Sequence, residues 1–379
     1  MSAQVKKQNI PDGWVEKKLG DVLKIGSGKD YKHLEVGDIP VFGTGGYMLS
    51  VNNTLHEGET VFIGRKGTIN KPFYFKGKFW TVDTLFYTRD YKETTARYIN
   101  YVFQKINWLA YNEASGVPSL SKTTIENIYF NFPPLLEQNR IVSVLETWDI
   151  SIERLKRKIE IRKSVQRWLF QELLTGKRRL SEFSDKWQTL KLGDIGKVSM
   201  CKRIFQSQTS AVGDIPFFKI GTFGKSSDAF ISKEVYEEYK NKYSFPKKGE
   251  VLISASGTIG RTVVYDEKPA YFQDSNIVWI SNDEKKVLNS FLFYAYKLTE
   301  WQTDSSTIAR LYNDNLRRVK IYAPDLEEQK EISNILIDTD SEIDRLQKKL
   351  ELLKDQKAYL LNNLITGTIR TPESLSIPK

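Results

Sequence analysis

One stretch of this chain occurs twice, and each occurrence has little choice but to form a long helix. From Ile141, apolar residues step by four and three through Leu145, Trp148, Ile152, Leu155 and Ile159; the stepping continues through Arg162, Gln166, Leu169 and Leu173. Shifted by 191 positions, the same steps land on Ile332, Leu336, Thr339, Ile343, Leu346, Leu350, Leu353, Lys357, Leu360 and Leu364. A repeat of about 3.5 residues keeps one stripe facing a partner helix, so the pattern predicts coiled-coil pairing over an amphipathic helix lying on its own domain. Each segment is entered after proline, at Pro134 and Pro324, and left at Leu-x-Thr-Gly, which places Gly176 and Gly367 as left-handed caps. Gln166 and Lys357 share a heptad position, where a polar residue costs stability but can fix register.

The sequence around these helices is duplicated as well. WVEKKLGDVLKIGSGK from Trp14 is answered by WQTLKLGDIGKVSMCK from Trp187, and GDIP at Gly37 by GDIP at Gly213. GETVFIGRKGTIN from Gly58 is answered by GEVLISASGTIG from Gly249, and FWTVDTLFYT at Phe79 by YFQDSNIVWI at Tyr271. The last landmark pairs the segment from Ser115 with that from Ser305. Five landmarks in one order make an internal duplication whose repeat is a domain rather than a solenoid unit. The offset grows from 173 to 191, so the second copy carries extra residues before GEVLI, expected in surface loops.

Short β-type runs cut by glycine and proline, with helical spacing from Ala96 and from Leu288, predict an α+β domain built on a mainly antiparallel sheet. The expected organisation is a first domain over 1–133, a long helix over 134–176 and a linker over 177–186. A second domain over 187–323, a second helix over 324–367 and a tail over 368–379 complete it. If the helices pair antiparallel, about 40 residues at 1.5 Å each give a rod of roughly 55–60 Å with a domain near each end, an arrangement with internal pseudo-twofold symmetry.

Charge narrows the class of partner. The chain carries a formal net charge of +10, and residues 151–180 alone hold 10 basic side chains against 3 acidic, which favours a polyanion such as nucleic acid over a neutral ligand. No apolar run reaches the roughly 18–20 residues of a membrane span, and the first residues lack a signal-peptide core, so the expected location is cytoplasmic. A lone Cys201 excludes an internal disulfide, and His33 and His56 have no zinc spacing to it. Catalytic signatures fail on inspection. Asn131-Phe132-Pro133-Pro134 has its aromatic on the wrong side of the prolines for a methyltransferase, and the glycines of Phe42–Gly46 are misplaced for S-adenosylmethionine. Asp325, Glu328 and Lys330 crowd a helix start instead of adjacent strands, and no GxxxxGK[ST] phosphate loop occurs. No catalytic residue, metal ligand or resident cofactor is assigned.

Binding chemistry remains. Arg65 and Lys66 sit between Gly64 and Gly67, ahead of Thr68, where close backbone approach would let a guanidinium reach a phosphate or a guanine edge. The second copy keeps the turn but substitutes Ala255 and Ser256 before Thr258, with Arg261 following. Lys29, Lys32, Gly45, Gly46 and Tyr47 are weaker DNA-binding candidates in the first copy, as are Lys202, Arg203, Lys219 and Lys225 in the second.

A variable domain, Pro-Leu-x-Glu-Gln (Asp-Leu-x-Glu-Gln in the second copy) opening a heptad helix and a closing Leu-x-Thr-Gly, repeated once, resemble the specificity subunit of type I restriction–modification enzymes. Departures are Asn70 where Gly260 stands in the second copy, and Ala323-Pro324-Asp325-Leu326 against Pro133-Pro134-Leu135-Leu136. The resemblance implies two target recognition domains reading the parts of a bipartite, asymmetric DNA site, with the helices as a ruler. It also implies docking of two modification subunits that methylate adenine N6 with S-adenosylmethionine, and of restriction subunits using ATP with Mg2+; this chain itself would be non-catalytic. The alternatives are a stand-alone DNA-binding regulator and a coiled-coil scaffold without a DNA role.

Overall fold

The computed structural model describes residues 10–301 and 311–375; residues 305–310, which open the last landmark, lie outside them. The chain divides into two compact units, Met1–Arg157 with Lys348–Lys379, and Lys158–Gln347. The boundaries fall inside the long helices, so each unit contains a globular domain and a portion of both helices.

In the first unit the strand β1 (Val15–Lys18), the single turn α1 (Leu19–Val22) and the strand β2 (Lys24–Ser27) lead into β3 (Val36–Gly43), β4 (Gly46–Val51), β5 (His56–Gly64), β6 (Phe73–Thr81) and β7 (Leu85–Arg89). Six of these strands form one sheet in the order β2-β7-β5-β6-β3-β4, antiparallel except where β3 runs parallel to β6. Helix α2 (Ala96–Lys105) begins where the Thr95 side chain accepts a hydrogen bond from the Tyr98 N–H. It buries Tyr98, Ile99, Tyr101, Val102 and Phe103, the face expected from the helical spacing after Ala96. Past the short α3 (Lys122–Glu126), β8 (Tyr129–Phe132) pairs antiparallel with β1 and delivers the chain to the long helix α4 (Leu135–Leu173).

The second unit repeats the plan with β9 (Gln188–Lys191), β10 (Gly196–Ser199), β11 (Ile215–Phe218), β12 (Phe230–Ile231), α5 (Lys233–Lys242), β13 (Val251–Ser254) and β14 (Thr262–Val264). After these come β15 (Tyr271–Phe272), β16 (Ile277–Asn282), α6 (Asn289–Leu298), α7 (Asn313–Arg318), β17 (Lys320–Ala323) and the long helix α8 (Leu326–Ile365). Two differences stand out. The extra residues are not all loop: part of them folds as α5, capped by Ser232 and packing Tyr236 into a core with Phe217, Phe223 and Tyr271. The sheet is also divided, into β10-β16-β13-β14 and β12-β11-β15. The single strand β6 bridges both halves in the first unit, whereas its counterpart is interrupted between β14 and β15. Glu267, with a left-handed φ of 71°, and Pro269, which lacks a backbone donor, lie in that interruption.

Within each unit the portions of α4 and α8 run antiparallel. Asp149 meets Lys357 and Glu137 meets Arg370 in the first unit; Arg162 meets Glu342 and Arg179 meets Glu328 in the second. Of the seam positions, Ile141, Leu145, Ile152, Leu155, Ile159, Ile332, Leu336 and Ile343 are buried, and Trp148, Leu346, Leu350 and Leu353 are half-buried. The helix ends enter the domain cores: Ile141, Leu145, Leu364 and Ile365 join the core of α2, as Leu173, Leu174, Ile332 and Leu336 join that of α6. Gly176 and Gly367 take φ of 67° and 73° and turn the chain out of the helices. The Arg178 N–H then closes onto the Glu172 carbonyl, and the Ile369 N–H onto the Asn363 carbonyl, at 3.0 and 3.1 Å. Asp325, where the first copy has Pro134, caps α8 by accepting the Glu328 N–H at 2.9 Å.

Candidate nucleic-acid interface

The candidate residues of the first unit are gathered by the end of β6 and the connection Val82–Thr84 that leads into β7. The Lys29 N–H donates to the Thr81 carbonyl at 2.8 Å, the Val82 N–H to Phe42 at 3.1 Å, and the Arg65 N–H to Thr84 at 2.8 Å. Glycine is required at Gly28, where a Cβ would stand 1.8 Å from the Val82 carbonyl oxygen. The β3–β4 hairpin tip closes the group: a Cβ on Gly67 would lie 3.9 Å from the Thr44 hydroxyl. Lys29, Gly45, Gly46, Tyr47, Arg65, Lys66 and Thr68 therefore share one end of the domain. Lys32 belongs to the loop after Lys29, its N–H on the Asp30 carboxylate, with no tie to that connection. Tyr47 is 64% exposed at the hairpin tip, and Lys29, Lys32, Arg65 and Lys66 are exposed.

The second unit repeats the convergence around Gln273–Asn276. The Gln273 side chain accepts the Ile220 N–H at 2.8 Å, and the Ala255 N–H donates to the Asn276 carbonyl at 2.7 Å. Gly257 faces Ile220 as Gly67 faces Thr44. The cations are engaged differently. Arg203 pairs with Asp274 at 3.0 Å, Lys219 with Asp228 at 2.8 Å, and Arg261 donates to the Phe223 carbonyl at 2.9 Å. Lys202 lies over the Tyr243 ring at 5.2 Å, Lys225 is exposed, and Thr258 holds the turn by accepting the Ser254 hydroxyl at its carbonyl.

What fastens each domain to its helices was not among the sequence candidates. Glu137, only 3% exposed, accepts the Trp14 indole N–H at 3.2 Å and a two-pronged grip from Arg370, Nε at 2.6 Å and Nη2 at 2.8 Å. Glu328, 0% exposed, accepts the Trp187 indole at 3.1 Å and the same grip from Arg179, at 2.7 and 2.6 Å. Each guanidinium also lies 5.7 Å from the indole it shares the carboxylate with. The carboxylate raises the pKa of both arginines, chiefly through these hydrogen bonds. The neighbouring amides are equally committed. Gln138 donates to the Pro133 and Glu93 carbonyls and accepts from Thr94; Gln329 donates to Pro324 and Lys286 and accepts the Leu288 N–H. Glu137, Gln138 and Arg370 lie 191 positions from Glu328, Gln329 and Arg179, the offset of the helices, which is the signal that could have revealed them.

The polar seam residues acquire partners. Lys357 reaches the Asp149 carboxylate at 2.5 Å, whose other oxygen accepts the Tyr101 hydroxyl at 2.8 Å. Gln166 donates to Asp340, whose other oxygen accepts the Tyr294 hydroxyl at 2.8 Å, with the Lys297 ammonium 3.8 Å away. Burial, followed by the carboxylate hydrogen bond, raises the pKa of both tyrosines, so each hydroxyl stays a donor. Burial lowers the pKa of Lys297, which stands 4.4 Å from the Phe293 ring. Each node joins a domain helix to both long helices inside one unit.

Comparison with known proteins places this arrangement. The type I restriction modification DNA specificity domain matches twice, over residues 11–163 and 184–355. A chain of Haemophilus influenzae named as a type I restriction enzyme specificity subunit is 40% identical over 306 residues, covering 79% of this chain and 80% of that one. The MjaVIII specificity subunit of Methanocaldococcus jannaschii is 25% identical over 338 residues, covering 82% and 76%. The crystal structure of the S subunit of a type I restriction–modification system from M. genitalium superposes with a TM-score of 0.65 at 16% identity, covering 96% of this chain and 99% of that one. A structure from work on complex assembly and conformational transition of the type I system gives 0.55 at 15% identity, over 96% and 100%. Among the described residues, no helix is long and apolar enough to cross a membrane.

Proposed function

This chain belongs to the family of type I restriction–modification DNA specificity subunits, and we propose that it selects a bipartite, asymmetric site on duplex DNA for partner enzymes to modify. The turn cluster of the first unit reads one part and that of the second unit reads the other. The two long helices set the spacing between the parts and dock two modification subunits. Those subunits carry S-adenosylmethionine and methylate adenine N6; restriction subunits using ATP and Mg2+ join the same core. Chemistry belongs to the partners, and this chain contributes the choice of site.

The observation that carries this reading is a common frame with different contents. Both units fasten their domain through the same Trp-Glu-Arg clamp and converge their loops on the same connection, yet the side chains on those loops differ. Two readers of unlike sequences need that combination, because groove recognition depends on side-chain identity at fixed backbone positions. Co-expression with the cognate modification subunit, followed by methylome sequencing, is expected to give one two-part methylated motif. Failure to associate with that subunit, or a motif with a single part, refutes the proposal.

A further inference from the structure

The turns after β5 and β13 have the same backbone and opposite chemistry. The Leu120 N–H donates to the Arg65 carbonyl at 2.9 Å, as the Leu311 N–H does to Ala255 at 2.8 Å. Gly67 and Gly257 both take left-handed φ, 94° and 64°. In the second unit Ala255 is fully buried and the Ser256 hydroxyl is spent on the Asn276 side chain at 2.8 Å. In the first, the same two positions put Arg65 and Lys66 into solvent at the mouth of a recess of about 520 Å3, lined also by Phe86, Ser119, Ser121, Lys122 and Glu113, whose carboxylate accepts the Ser121 and Thr124 hydroxyls. Among the described residues, none of Arg65, Lys66 and Lys122 pairs with a carboxylate. Arg203 and Lys219 of the second unit both do.

The geometry points to Arg65 as a base-reading residue, recognising the O6/N7 edge of a guanine in the part of the site read by the first unit, with Lys66 and Lys122 on the flanking phosphates. This rests on the DNA-reading role proposed above. The guanidinium is held from one side: Nη1 donates to the Asp83 carbonyl at 3.3 Å, and Cζ lies 5.9 Å from the Phe86 ring. Those contacts orient its plane and leave the Nε–Nη2 edge free to present a fork. A fork matches the paired acceptors of guanine, whereas lysine ammonium groups act on phosphate as point charges. The contrast between units points the same way. Phosphates are alike along any duplex, so a phosphate contact has no reason to vanish at the equivalent position of a second reader. A base contact does.

The test uses the full chain expressed with its modification subunits, and reads the methylated motif for the wild type, Arg65→Ala, Arg65→Lys and Lys66→Gln. Arg65→Ala is expected to relax one G·C pair in one part of the motif, with discrimination there falling about ten- to hundredfold and the other part unchanged. Arg65→Lys, which keeps the charge without the fork, is expected to relax the same pair. Lys66→Gln should keep the motif, weaken binding to all sequences alike and reduce the salt slope by about one. If Arg65→Ala weakens binding uniformly and leaves every position strict, Arg65 holds a phosphate and the inference falls. Should that variant methylate nothing, competition of the purified complex against duplexes altered one base pair at a time decides between the same two outcomes. Failure of the underlying reading looks different, since the wild type itself would then give no two-part motif.

Discussion

Lys357 of α8 meets Asp149 of α4 at 2.5 Å, and the same carboxylate takes the Tyr101 hydroxyl of α2 at 2.8 Å. A polar residue on a heptad seam is normally a cost accepted for register. Here it also ties the seam to the domain beside it. The Gln166–Asp340–Tyr294 node does the same with an amide in place of the ammonium. Removing Asp149 strands both an ammonium and a buried hydroxyl, so Asp149→Ala is expected to cost about 1–3 kcal/mol. A cycle with Lys357→Ala measured by denaturant unfolding should show the two changes to be non-additive. Simple additivity would mean that the pair is incidental.

The Arg370 clamp should matter more. The Glu137 side chain is 4% exposed, so Arg370→Ala leaves a buried carboxylate with only the Trp14 indole and is expected to cost about 3–5 kcal/mol. Arg179→Ala predicts a similar loss through Glu328. Adding Glu137→Gln to Arg370→Ala should recover part of the loss, because the uncompensated charge goes with it. Thermal and urea melts of the full chain check this; a loss below about 0.5 kcal/mol would place the pair among ordinary surface contacts.

Cys201 provides a pH-dependent reading of the second core. It is 2% exposed, and burial pushes its thiol up to about 12 from 9.0. Only the unfolded chain ionises this thiol between those values, so its contribution to stability is complete below pH 9 and declines as pH rises toward 12. At pH 8 the native protein should resist iodoacetamide while the urea-unfolded chain reacts. Rapid native labelling would show that the aromatic core around α5 opens readily.

The ruler role proposed for the helices is tested by length. Removing one heptad from each long helix, between the clamps and in matched positions, is expected to shorten the spacer of the methylated motif or abolish methylation while both half-site sequences persist. Exchanging residues 14–133 for another recognition domain should alter one half-site alone. Changed half-site bases in the heptad variant would show that the helices take part in reading.

The duplication, the seam and the Gly176 and Gly367 turns are legible in sequence because each is a local pattern repeated at a fixed offset. The clamps are harder to see: their residues recur at the 191-residue offset, but Glu137 and Arg370 are 233 positions apart and Arg179 and Glu328 149, so no local pattern shows which side chains meet. Glu328 in particular resembles part of a nuclease echo until Arg179 and Trp187 are seen to occupy its oxygens. Helix α5 was hidden by composition, since KEVYEEYKNK has few apolar residues and buries only Tyr236. The division of the second sheet depends on Pro269 and a left-handed Glu267, which read simply as a loop. Among the binding candidates, residue type located the turn at Arg65 but said nothing of the carboxylates that occupy Arg203 and Lys219.

Among the described residues, the Trp-Glu-Arg clamp and the glutamine beside it share no hydrogen-bond partner with the turns around Arg65 and Ala255, so on the reading proposed above the fastening of each domain and the lettering it carries can change independently. A substitution in those turns is then expected to leave the joint as it was. On that reading, each domain is a bit that can be exchanged while its joint stays.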